Sequence, residues 1–138
     1  MDKKFEILDH TADTGIIAYG DDMKEAFENT ALGMFSLITD PTGIVNDQVR
    51  KIDINSSDRD SLLVDWLNEL IYLFDVENII FNKFDIILLD ENALSAIGYG
   101  EKVDLSRHEI KIGIKAATYH MLKIEKNSIY TIRVIFDI

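Results

Sequence analysis

The chain contains no cysteine, which removes disulfides, thiolate nucleophiles and cysteine-ligated zinc from consideration. Proline occurs once, at Pro41. Long apolar runs are missing: nothing in the sequence approaches the ~20 residues that a membrane-spanning helix needs. The opening Met1-Asp2-Lys3-Lys4-Phe5-Glu6 lacks the apolar stretch of a signal peptide, so the expectation is a cytoplasmic protein. Positive charge is scarce, with 14 Lys and Arg against 25 Asp and Glu, a net charge of −11. That balance argues against a protein that grips nucleic acid by its phosphates. It is compatible with docking on a basic partner, and on its own it does no more than favour solubility. The seven glycines form neither a phosphate-binding loop nor a dinucleotide fingerprint, and no Gly-x-Ser-x-Gly elbow marks a nucleophile.

What is present is one domain's worth of chain, residues 1–138, with 47% hydrophobic and 28% charged residues, the balance of a folded globular protein. Strands are expected over residues 5–8 and 15–19. From Met23, the positions Ala26, Phe27, Thr30, Ala31, Met34, Phe35 and Ile38 keep helical spacing on one face. Asp22 with Glu25 resembles a capping box, and Asp40-Pro41-Thr42-Gly43 stops the helix. A strand follows over 49–54. Caps in Asn55-Ser56-Ser57-Asp58 then open a second helix carrying Leu63, Trp66, Leu67, Leu70 and Phe74. Residues 84–90 form a nearly continuous apolar run, expected to be a strand buried on both faces. Glu91-Asn92 turns the chain into 93–97, and Gly98-Tyr99-Gly100-Glu101 reads as a loosened stretch. Ile110, Ile112, Ile114 and Ala116 alternate with polar residues like a half-buried strand. Residues 120–124 continue the sheet, and the run from Tyr130 to Ile138 closes it. Many strands and two helices, without a βαβ rhythm, predict an α+β fold: two amphipathic helices packed on a largely antiparallel sheet or pair of sheets.

Ionisable chemistry is densest in Asp9-His10-Thr11-Ala12-Asp13, and again in Lys115-Ala116-Ala117-Thr118-Tyr119-His120. Asp9, Asp13 and Asp137, with the free carboxylate of Ile138, offer the oxygens that hard cations prefer, although surface aspartates capping turns account for the same pattern. His10, His108 and His120 have no metal-ligand spacing, and a hydrogen-bonded structural role suits each of them. The residues alone support no enzyme class.

Taken in order, six segments resemble the archease family. They are Asp9-His10-Thr11-Ala12-Asp13-x-Gly15-Ile16, Ala26-Phe27-Glu28-Asn29, Leu37-Ile38-Thr39-Asp40-Pro41, Leu62-Leu63-x-Asp65-Trp66-Leu67-Asn68-Glu69-Leu70, Lys115-Ala116-x-Thr118-Tyr119-His120, and Arg133 through Ile138. Thr14 and Met121 depart from the residues common in the family, Val and Gly. The resemblance implies a non-catalytic accessory protein that activates an RtcB-type tRNA-splicing RNA ligase, promoting its guanylylation and multiple turnover. tRNA would be met only indirectly, through the ligase, and no membrane is involved. The resemblance also implies a divalent cation, calcium first and magnesium or manganese otherwise, held by Asp13, Asp137 and Ile138 (the last through its main-chain carboxylate). Asp9, His10, Lys115 and His120 are then candidate contacts to partner or nucleotide. A chaperone-like role toward tRNA-modifying enzymes such as a tRNA methyltransferase is the alternative.

Overall fold

The computed structural model describes residues 3–9 and 14–138. Two antiparallel sheets share the strands between them. The first is built from β1 (Phe5–Asp9), β2 (Thr14–Gly20), β6 (Ala116–Ala117), β7 (Lys123–Lys126) and β8 (Tyr130–Asp137). Its order is β1-β2-β8-β6, with β7 also paired to β8. The second has the order β3-β5-β4, from β3 (Gln48–Asn55), β4 (Ile79–Leu89) and β5 (Ala93–Lys102). Helix α1 (Met23–Ile38) packs on β2 of one sheet and β4 of the other, while α2 (Arg59–Glu77) reaches β6, β3, β4 and β5. The α+β architecture expected from the pattern is the one observed.

Local chemistry sets the helix limits. Asp22 accepts the Glu25 N–H at 2.8 Å, but the Glu25 carboxylate reaches back to the Asp21 N–H at 2.8 Å and not to that of Asp22. The box is therefore shifted by one residue on its return arm. At the other end the Thr39 N–H returns to Phe35 C=O, and Pro41 follows. Asp58 caps α2 by accepting the Ser61 N–H at 2.8 Å. Asn78 ends it in the left-handed conformation, φ 58°, which asparagine tolerates better than most residues.

The core forms where the apolar stripes of both helices meet the sheets. Trp66 is fully buried, its ring edge-on to Phe84 at 5.4 Å, and its indole N–H donates to Phe27 C=O at 3.2 Å. Phe35, Phe81 and Phe84 complete an aromatic cluster with centroid separations of 5.5–6.3 Å. This is the geometry that aromatic quadrupoles prefer.

Four stretches differ from expectation. The run 84–90 is not buried on both faces: Ile87 and Leu88 are exposed, because β4 is an edge strand whose register shifts between Ile86 and Leu88. Helix α1 blunts that edge. Glu28 accepts the Ile86 N–H at 2.8 Å and Lys24 donates to Ile87 C=O at 3.1 Å, a common way of blocking unwanted strand pairing. Gly98-Tyr99-Gly100-Glu101 is no loosened turn but the middle of β5. The glycines are needed there because a Cβ at Gly98 would lie 2.8 Å from the Phe81 ring, and one at Gly100 would overlap the backbone of Ile80. The alternation at 110–116 is present in burial, yet residues 110–115 pair with no strand among the described residues; only Ala116 and Ala117 join the sheet. Instead the Lys111 N–H donates to Ile38 C=O at 2.7 Å. His120 and Met121 form a turn, Met121 at φ 55°, and the strand resumes only at Lys123.

Candidate metal centre

The ladder between β2 and β8 brings the two ends of the sequence together. Thr14 lies opposite Phe136 and Gly20 opposite Tyr130, while Asp9 at the end of β1 lies opposite Thr14. On the other side of β8, Ala116 pairs with Asp137 and Ala117 with Phe136. The Lys115 N–H donates to Asp137 C=O at 2.7 Å. Thr118 clamps the same strand twice, its N–H and its hydroxyl both donating to Ile135 C=O, at 3.1 and 2.8 Å. The His120 N–H donates to the Thr118 hydroxyl oxygen at 3.3 Å, which holds the turn against the end of β8.

These segments enclose a recess of about 440 Å³ lined by Thr14, Thr118, His120, Ile135, Phe136, Asp137 and Ile138. Ile135 and Phe136 are buried, whereas Asp137 and Ile138 at the end of β8 are exposed. Asp137 is exposed and enters none of the ion pairs among the described residues. The side chains of Lys115 and His120 are also exposed.

The archease protein family (MTH1598/TM1083) model matches residues 5–138. The chain belongs to the archease family. A protein archease of Methanosarcina acetivorans is 42% identical over 130 residues, which are 91% of this chain and 89% of that one. Another, from Sulfurisphaera tokodaii, is 38% identical over 138 residues and 99% of both chains. The solution structure of Methanobacterium thermoautotrophicum protein 1598 superposes with a TM-score of 0.83 at 40% identity, covering 97% of this chain and 98% of that one. A Thermotoga maritima archease, described as a possible chaperone, shares the fold with a TM-score of 0.60 at 21% identity, covering 100% of this chain and 98% of that one.

Of the residues singled out in the sequence of this archease, Asp137, Ile138 and His120 line one recess and Lys115 hydrogen-bonds at its edge. Asp13 and His10 lie outside the described residues, as does the side chain of Asp9. Among the described residues no three His, Asp or Glu side chains converge on a cation position. Asp137 and the main chain of Ile138 are nonetheless hard oxygen donors, and Asp137 forms no ion pair among the described residues, which suits calcium or magnesium better than a soft metal. Thr14 and Thr118 were not anticipated as part of this surface. Their sequence signals were indirect: Thr14 follows Asp13, and Thr118 lies inside the Lys115–His120 segment without having been assigned a role.

A second polar cluster stands apart from the recess. Glu101 is 5% exposed and accepts from Arg107 Nη2 at 2.6 Å and from the Val45 N–H at 3.1 Å. His108, also buried, accepts the Asp104 N–H at Nδ1, 2.8 Å away. Its hydrogen therefore sits on Nε2, which donates to Glu101 at 2.9 Å. With both ring nitrogens engaged, His108 is a structural histidine. The Arg107 guanidinium, helped by Val45 and His108 against the cost of burial, holds the Glu101 carboxyl down at about 2. Its folded value is thus below its ordinary 4.5, so the stability it contributes is fully present above that value and is lost as pH falls toward 2. In thermal unfolding scans between pH 5 and pH 2, wild type should lose stability more steeply than Glu101→Gln. Equal slopes would show that this cluster does not couple to folding.

Proposed function

We propose that this archease is a non-catalytic accessory protein that activates an RtcB-type RNA ligase in tRNA splicing, promoting its guanylylation and repeated turnover. The observation that carries the reading is the convergence of Thr14, the Lys115–His120 segment and the end of β8 around one open recess. In this reading Asp137, Asp13 and the main-chain carboxylate of Ile138 hold a calcium-type cation, magnesium or manganese being alternatives. When bound, such an ion neutralises phosphate charge. The residues around it have simpler duties. Thr118 and the Lys115 N–H fix β8, so that the Asp137 carboxylate projects from a braced strand. Lys115 and His120 would contact an incoming nucleotide phosphate or the ligase itself, with Asp9 and His10 as further contacts. The ligase supplies the chemistry and the contact with tRNA, in the cytoplasm. The Thermotoga maritima relative's description as a possible chaperone supports the other reading, assistance to a tRNA-modifying enzyme such as a methyltransferase.

The metal arm is tested without any ligase. Calorimetric titration with calcium should give one ion per chain, and Asp137→Asn should weaken it roughly tenfold or more, since fewer charged ligands lower calcium affinity. Adding one residue after Ile138 should weaken it as well, because the terminal charge moves away. Unaltered affinity in Asp137→Asn would remove this residue from the site.

A further inference from the structure

The Lys115–His120 segment forms one wall of the recess, yet it has little ladder of its own. Strand β6 is two residues long, and residues 110–115 pair with no strand among the described residues. Such a segment stays in place through single contacts. Three of them reach β8: the Lys115 N–H to Asp137 C=O, and the Thr118 N–H and hydroxyl to Ile135 C=O. The Ala117 N–H, between them in sequence, turns the other way. It donates to the side-chain oxygen of Asn68 on α2 at 2.8 Å.

That contact has no ready substitute. Ala117 is 5% exposed, and a buried N–H is rarely left without an acceptor because the loss is costly. The same helix holds the segment at a second point, where the Tyr119 hydroxyl lies 3.2 Å from Ser61 Oγ. Ser61 and Asn68 are two turns apart on one face of α2. The helix itself is firmly seated, with Leu63, Trp66, Leu67 and Leu70 fully buried. The helix is thus the fixed member, and the segment is hung between it and β8.

An amide suits this position. Asn68 borders a shallow surface that also carries Asp53, Asp65 and Glu69, and its carboxamide supplies an acceptor oxygen without adding a further charge beside them. Its effect reaches the recess through the backbone. Thr118 and His120 line the recess, and the Lys115 N–H holds the carbonyl of Asp137. If the Ala117 N–H loses its acceptor, the least costly response is for the two-residue strand to lift away, which displaces all three. We infer that Asn68 is a positioning residue for the recess, holding the Ala117 N–H so that the Lys115–His120 segment stays against the end of β8. The inference rests on the proposed function for the working role of the recess, while the contact itself involves no metal.

Amide exchange measured by NMR on metal-free protein tests it. The telling amides are Lys115 and Thr118, whose own hydrogen bonds go to β8 and are not touched by a change at Asn68. In Asn68→Ala they should exchange roughly tenfold faster or more, through local opening of the segment. The β2–β8 ladder around Ile16 and Val134 should keep its rates. Asn68→Asp, which retains an oxygen at the same place, should restore slow exchange. Calcium titration of the same variants reads the consequence. Affinity should fall roughly threefold to tenfold in Asn68→Ala, at or below the low end of what losing outer support costs a metal site, and should recover in Asn68→Asp. Unchanged exchange at Lys115 and Thr118 in Asn68→Ala would overturn the inference. So would faster exchange spread evenly over the chain, the mark of a general loss of stability, or equal calcium affinity in wild type and Asn68→Ala. A wild type that binds no calcium would instead contradict the metal reading of the recess, and the exchange rates alone would then decide the role of Asn68.

Discussion

Replacing Trp66 by alanine should cost about 3–5 kcal/mol of folding stability. The ring is fully buried, at the junction where α2 meets α1 and the second sheet. Two losses add. The first is the apolar surface and edge-to-face packing against Phe84, 5.4 Å away. The second is the hydrogen bond from the indole N–H to Phe27 C=O, a carbonyl inside α1. A domain of this size is typically stable by only about 5–15 kcal/mol, so the variant would sit near the threshold of folding. Urea unfolding followed by circular dichroism would give the number. Trp66→Phe, which keeps most of the ring volume, should lose clearly less. A loss under about 1 kcal/mol for the alanine variant would mean that the site collapses around the cavity and that Trp66 is not the anchor of the core.

The second large effect falls on function and leaves the fold alone. Asp137→Asn replaces one oxygen by nitrogen on an exposed side chain at the end of β8, whose backbone stays clamped by Thr118 and Lys115. Surface substitutions of this kind change stability little, so the thermal transition should match wild type. On the proposed function, support of ligase turnover should nevertheless fall at least tenfold, in line with the loss of one proposed calcium ligand. Lys115→Ala and His120→Ala, which leave the carboxylates in place, should reduce turnover without abolishing calcium binding. If Asp137→Asn is folded and fully active, the recess is not the working surface of the protein.

How far the sequence alone leads depends on the range of the interactions involved. The helices were legible because their determinants are local: the apolar stripe from Ala26 to Ile38 and the caps at Asp22 and Asp58. Gly98 and Gly100 were misread for the same reason. Glycine pairs favour turns locally, but here they admit Phe81 and Ile80 of a neighbouring strand, a cross-strand demand that local propensity does not report. The alternation from Ile110 to Ala116 was real as a record of which side chains are covered, yet alternation says nothing about whether a strand lies alongside. The recess is the most non-local feature. It depends on β2 pairing with β8 and on a crossing segment from residue 115 to 120, so no window of sequence contains it. Asp13 and Asp137 were linked through resemblance to a family and not by their spacing. The structural role of His108 was legible, but its pairing with Glu101 beside Arg107 was not, because it joins a β-strand to an irregular loop, where no periodicity applies.

The central claim is that this archease makes a ligase turn over. Its most direct test is a ligation assay with an RtcB-type ligase far below the concentration of split tRNA, supplied with GTP and a divalent metal, with and without this protein. The account predicts that product per ligase rises many-fold when wild-type protein is added, and falls back toward the unassisted level when Asp137→Asn takes its place. Product per ligase that does not change on adding wild-type protein would contradict it.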